Sequence, residues 1–324
     1  MTAQRPVTQS VYTPGAGIPL GVPSAPDGDA VRAQVSGEFP GTGATNTSVT
    51  PSSEATPRGA GRRVGARQLA RLAERLSDRD RDVLQMIADH RYLTTHQVQQ
   101  FCFVDHETAS TGARVTRRVL SRLGRDGLIA PLERRVGGLG SGSAVTIWRL
   151  TAAGSRIVYG DAKRRRGTEP SERFLRHCLA VADVHVLLCQ HRRIEAIESV
   201  AVEVEPASWR KYLGPGGGPR WLQPDLSAVI TTADFIDRMF IEVDLGTESL
   251  PTLLRKCQYY EDYRRSGTEQ DRHGSFPLVV WLLTTTERVT KLRTAIDRRQ
   301  GLASAMFRYA TPATLTQVLA GGDS

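Results

Sequence analysis

A chain of 324 residues with a formal net charge of +9, 40% hydrophobic and 24% charged, is long enough for two ordinary domains and a tail. No apolar run approaches the roughly 18–20 residues needed to span a bilayer, and the start lacks a basic segment followed by an apolar one. A soluble, cytoplasmic protein with no membrane partner is therefore expected. The four cysteines, Cys102, Cys178, Cys189 and Cys257, are far apart and show neither C-x-x-C nor disulfide-framework spacing, so free thiols in a reducing compartment are expected.

Residues 1–65 are rich in Pro, Gly, Ser, Thr and Ala and poor in large apolar side chains, the composition of a disordered tail. Most of the positive excess falls in residues 66–160, which implies an anionic partner, of which nucleic acid is the commonest.

In that segment Leu69, Leu72 and Leu76 recur at helical spacing. Ser77 or Asp78 is placed to cap a second helix that turns Val83, Leu84 and Ile87 inward. Thr94 and Thr95 open a short third helix. A longer one, about 110–126, puts Val115, Val119, Leu120 and Leu123 on one side, carries Arg114, Arg117, Arg118, Arg122 and Arg125 elsewhere, and ends at Gly127. Two apolar runs, about 128–136 and 144–150, flank a glycine-rich tip and read as a hairpin, and a further helix follows at about 151–159.

Three helices and a hairpin, in this order, make a winged helix-turn-helix over residues 66–160. In such a unit the 110–126 helix enters the major groove of double-stranded DNA, where Arg114, Arg117, Arg118 and Arg122 reach bases or phosphates. Arg134 and Arg135 on the wing contact backbone or minor groove. A winged-helix transcriptional regulator and a protein-interaction module are the competing readings of the same unit.

Residues 161–170, with the basic run 163–166, read as a linker. Residues 171–324 form a second domain. It opens on a long amphipathic helix, about 172–190, bearing His177 and His185, and a strand at about 199–205 follows. The segment 206–220, containing GPGGGP, reads as a flexible loop.

Next come two β-branched runs, 226–231 and 239–245, joined by a polar turn and followed by a helix. Asp225 stands at the mouth of the first strand. Glu242 and Asp244, two residues apart on the second, share a face. Such a cluster of carboxylates calls for a hard cation or a basic partner. Lys256 on the next helix is the nearest basic candidate, and Tyr260, four residues on, shares its side. The apolar run 276–283 reads as a buried strand, a basic helix follows at about 287–299, and a short strand at about 305–309 closes the chain.

Pro224-Asp225 followed by Glu242-Val243-Asp244 resembles the PD-(D/E)xK nuclease superfamily, and the order of elements resembles its αβββαβ, restriction-endonuclease-like core. The resemblance implies that Asp225, Glu242 and Asp244 hold Mg²⁺ or Mn²⁺ and that a lysine serves the attacking water. Asp244 stands where that lysine is expected. Branches that move the basic residue onto the following helix nominate Lys256, and Lys256-x-x-x-Tyr260 resembles a Gln-x-x-x-Tyr pair of one branch. On this basis the catalytic set is Asp225, Glu242, Asp244 and Lys256, with Glu248 or Glu203 as an additional ligand.

More specifically, FIEVDLGTES followed by LLRKCQYYEDY, behind a winged-helix-like segment, resembles the replication-relaxation family of plasmids and integrative elements over roughly residues 75–300. What this implies is an α+β multidomain DNA-binding protein acting in replication or transfer, beside replication or transfer proteins. A metal-dependent endonuclease or nickase is the alternative. The sequence holds no heptad or other signal that decides for or against a homodimer.

Overall fold

The computed structural model describes residues 64–132, 145–160, 169–192 and 197–319. The expected tail, apart from its last two residues, lies outside them, as do the tip of the first hairpin and most of the expected linker. The described residues all fall in one compact unit of mixed α+β structure.

Its first part comprises α1 (Ala66–Arg75), α2 (Asp78–His90), β1 (Leu93–Thr94), α3 (Thr95–Cys102), α4 (Ala109–Arg125), β2 (Ile129–Pro131), β3 (Ile147–Leu150) and α5 (Ala152–Tyr159). Local chemistry sets the helix starts. Ser77 and Asp80 form a reciprocal capping box on α2, and Thr94 and Gln97 form another on α3. The Thr108 hydroxyl accepts from the Thr111 amide to start α4, and Gly127, at φ 73°, turns the chain out of that helix. The strands pair antiparallel in the order β1-β3-β2, and Leu84, Ile87, Leu93, Val98, Leu120 and Leu123 fill the space between helices and sheet.

The second part begins with α6 (Glu172–His191) and continues through β4 (Ile197–Val204), β5 (Arg210–Leu213), β6 (Pro219–Leu222), β7 (Leu226–Thr232) and β8 (Ile236–Asp244). After these come α7 (Leu250–Arg265), α8 (Thr268–His273), β9 (Leu278–Leu283), α9 (Thr286–Asp297), a 3₁₀ turn (Ser304–Met306), β10 (Phe307–Ala310) and α10 (Leu315–Leu319). A five-stranded sheet runs β10-β9-β8-β7-β4, parallel from β8 to β10 and antiparallel from β8 to β4.

Each face of the sheet buries a separate core. Ile241 and Val243 join Val184 and Leu188 of α6 and Leu315 of α10 on one side. Phe240 and Trp281 join Leu253, Tyr260 and Tyr263 of α7 and Leu292 of α9 on the other. The alternation along β8 is what divides these residues between the two layers.

The expected flexible loop at 206–220 is corrected by the structure, because most of it belongs to an antiparallel hairpin of β5 and β6 that runs on to Leu222. Tyr212 and Leu222 explain this: both are buried in the α7-side core, so the ribbon has one face to bury. Glycine makes the turn, with Gly217 at φ 76° and the Gly214 amide donating to the Gly218 carbonyl at 2.9 Å. Among the described residues no helix is long and apolar enough to cross a membrane.

Candidate functional site

The β7–β8 register pairs Leu226 with Ile241, and one step further brings Asp225 beside Glu242. The Asp225 carboxylate is buried and engaged at both oxygens. Oδ2 accepts from the Val243 amide at 2.8 Å and Oδ1 lies 3.0 Å from His177 Nε2 on α6. Burial alone would raise its pKa, but His177, Lys256 and the Val243 amide favour the anion and bring the value down to about 2.

Glu242 points into the layer beneath α7. Tyr260 Oη donates to its Oε1 at 2.6 Å and Lys256 Nζ donates to its Oε2 at 3.1 Å. The four-residue spacing of these two donors puts them on one side of α7, as the sequence implied. With the side chain 3% exposed, burial dominates and lifts the Glu242 pKa to about 7. Burial would lower that of Lys256, but Glu242, Asp225 and Glu248 raise it, so the ammonium stays charged. Burial and Glu242 raise Tyr260, which keeps its proton and donates it in a hydrogen bond.

Asp244 lies on the same strand face as Glu242 but has partners of its own. Its Oδ1 accepts from the Gly246 amide at 3.1 Å, and its Oδ2 pairs with Arg288 of α9. Arg288 also donates to the Glu248 carbonyl at 2.6 Å, clamping the turn between β8 and α7. Glu248 forms an ion pair with Lys256 at 3.2 Å, and Glu203 is held by Arg210 at 2.7 Å. Sequence reasoning did not assign the roles of His177 and Arg288. Each comes from a helix more than 40 residues away from the carboxylate it binds.

As placed, these carboxylates do not make a ligand set for a divalent cation. Every oxygen of Asp225, Glu242 and Asp244 faces a protein donor, and two basic side chains, Lys256 and Arg288, supply the charge that a metal would bring. Among the described residues no group of three or more His, Cys, Asp or Glu side chains is arranged to hold a metal ion. Asp225, Glu242 and Asp244 are all buried.

The second candidate surface is α4. Gly112, Thr116, Leu120 and Leu123 face inward, while Arg114, Arg117, Arg118 and Arg125 are exposed along one stripe and have no ion-pair partner among the described residues. Arg117 and Arg125 border a groove between α4 and the β2–β3 strands, with Thr95, Ser121, Thr146 and Trp148 beside them. Arg122 is placed differently. It turns back to the buried Asp80 of the α2 capping box and ties α4 to α2. Arg134 and Arg135 lie outside the described residues.

No curated protein and no solved structure gives a match to this chain. A family described as replication-relaxation matches residues 84–279, from the middle of α2 into β9, which is more than half of the sequence. That span holds the basic helix, the carboxylate cluster and the EVDLGTE stretch, and the chain belongs to the replication-relaxation family.

Proposed function

We propose that this protein binds double-stranded DNA of a mobile element, through a winged helix formed by α2, α3, α4 and the β1-β3-β2 sheet, in the service of replication or transfer. The observation that carries the reading is the stripe of Arg114, Arg117, Arg118 and Arg125, exposed and unneutralised on α4. Such a stripe costs the fold self-repulsion and gains it nothing, unless phosphate and base edges supply the missing acceptors. Membership of the replication-relaxation family supports the same reading.

For the second part we propose a restriction-endonuclease-like core that serves as a binding body, with its acidic cluster neutralised from within. The order of α6, β4, β7, β8, α7 and β9 supports the likeness, and the protein donors on every oxygen of the three carboxylates support a silent site.

Duplex affinity measured by fluorescence anisotropy across a salt series tests the first proposal. The Arg117→Ala, Arg118→Ala double variant should bind more weakly, with the slope of log K against log salt reduced by about 2, roughly one per phosphate contact. An unchanged slope refutes it. Incubation of supercoiled plasmid with Mg²⁺, Mn²⁺ or chelator tests the second. The parent should bind without nicking, whereas metal-dependent nicking that Glu242→Ala abolishes would establish a working nuclease.

A further inference from the structure

The hairpin of β5 and β6 has two unlike faces. Tyr212 and Leu222 point into the core against α7. Strand alternation sends Lys211 and Leu213 the other way, and their cross-strand partners, Trp221 and Pro219, share that outer face. Lys211 and Pro219 are exposed, Leu213 is 68% exposed, and Trp221 is half-buried with its ring edge-to-face against Trp209 at 6.4 Å.

An outward face made of indole, leucine and proline around one ammonium contributes nothing to the core beneath it. Charge singles out one class of occupant. Lys211 has no acidic partner among the described residues, and the carboxylates nearest the ribbon are already engaged, Glu203 by Arg210 at 2.7 Å and Asp262 by Arg220 at 3.8 Å. Arg220, the cross-strand partner of Tyr212, lies on the opposite face of the ribbon, so the outer face offers the Lys211 ammonium and no free anion. Aromatic rings set beside cations fit a polyanion whose bases are unstacked, because an indole stacks only on a base face that a duplex hides.

We infer that the outer face of the β5–β6 hairpin is a docking surface for single-stranded DNA, with Trp221 stacking on a base and Lys211 meeting the backbone. The inference rests on the reading of this chain as a DNA-binding protein but uses a surface separate from α4. Three residues beyond the ribbon, the chain reaches Asp225.

The test uses the full chain and a labelled oligothymidylate, which forms no duplex and offers no sequence for α4 to read. Trp221→Ala should weaken binding roughly five-fold or more, the loss of one stacked base. Lys211→Glu should also weaken it, and Trp221→Phe should restore most of the affinity, with unfolding curves showing that each variant is folded. Lys211 is exposed, so its variant keeps the test decisive if Trp221→Ala does not fold. The Arg117→Ala, Arg118→Ala variant should lose duplex affinity and keep oligothymidylate affinity. If the parent ignores oligothymidylate, or the ribbon variants bind it as the parent does, the inference is overturned. If duplex binding fails while ribbon-dependent binding persists, the α4 reading falls and this one stands.

Discussion

Glu242→Gln isolates the central oddity of the carboxylate cluster, an acid buried against a lysine and a tyrosine. Burial raises the parent's Glu242 from the ordinary 4.5 to about 7. The folded state therefore holds a proton that the unfolded chain has released across that interval. Stability from this group is fully present below 4.5 and is lost as pH rises through 7. A rise of that size corresponds to about 3 kcal/mol, and the side chain, at 3% exposure, is too buried for solvent to screen it away.

Glutamine keeps the shape and cannot titrate, and Lys256 retains Glu248 at 3.2 Å. The stability of the variant relative to the parent should therefore shift in its favour by about 3 kcal/mol between pH 4.5 and about pH 8. Urea denaturation followed by circular dichroism at several pH values reads this directly. Parallel curves for parent and variant, or a gap that opens the other way, would refute the assignment of burial as the dominant influence.

Asp225→Asn should behave in the opposite sense. Asp225 is lowered from 3.8 to about 2, so its stabilisation is present above 3.8 and lost as pH falls through 2, and the variant should lose about 2 kcal/mol at neutral pH but little in strong acid. Arg122→Ala strands the carboxylate of Asp80, 3% exposed, and should cost about 1–3 kcal/mol in urea denaturation while lowering duplex affinity less than Arg117→Ala. Burial depresses His185 from 6.5 to about 4 and puts His90, its partner at 2.9 Å, well below its usual value, so the pair stabilises above 6.5 and this is lost as pH falls through 4. The double variant His90→Phe, His185→Leu should be more stable than the parent by about 3 kcal/mol or more at pH 4, relative to its standing at pH 7, and a parallel loss in both would sink the argument.

Local signals made much of this fold legible. The Ser77 and Thr94 caps fall where a polar residue precedes an apolar stripe, and the β-branched runs at β7 and β8 announce strands. The β5–β6 hairpin stayed hidden because four-residue strands give too few positions for a period, and GPGGGP masks the two residues, Tyr212 and Leu222, that bury it. In the cluster, Lys256 and Tyr260 were readable from helical spacing on one element. The partners of Asp225 and Asp244 were not, since His177 and Arg288 arrive from helices 48 and 44 residues away and only the packed fold brings them in. Arg122 shows the same limit. It sits at the flank of the α4 stripe, where the helix turns toward Asp80, and sequence spacing alone does not say which neighbour waits there.

One helix joins these features. On its way past the first part, α6 places Ala182 in that part's core, receives the Gln97 amide at the Leu179 carbonyl and at Asp183, at 2.9 and 2.7 Å, and sets its His185 ring, tilted, against His90 and Phe101. On its other side it supplies Val184 and Leu188 to the sheet and His177 to Asp225. The histidine pair and the Asp225–His177 contact thus both act on an element that the two parts share. The histidine pair and Glu242 act in opposite directions over nearly the same interval, since the pair loses stability as pH falls and Glu242 loses it as pH rises. The parent's pH dependence therefore contains two opposed contributions, and removing either cluster should shift its slope in the opposite direction to removing the other. The exposed cations of α4, and Lys211 of the β5–β6 ribbon, have no ion-pair partner among the described residues, and the proposed DNA contacts are to be sought there.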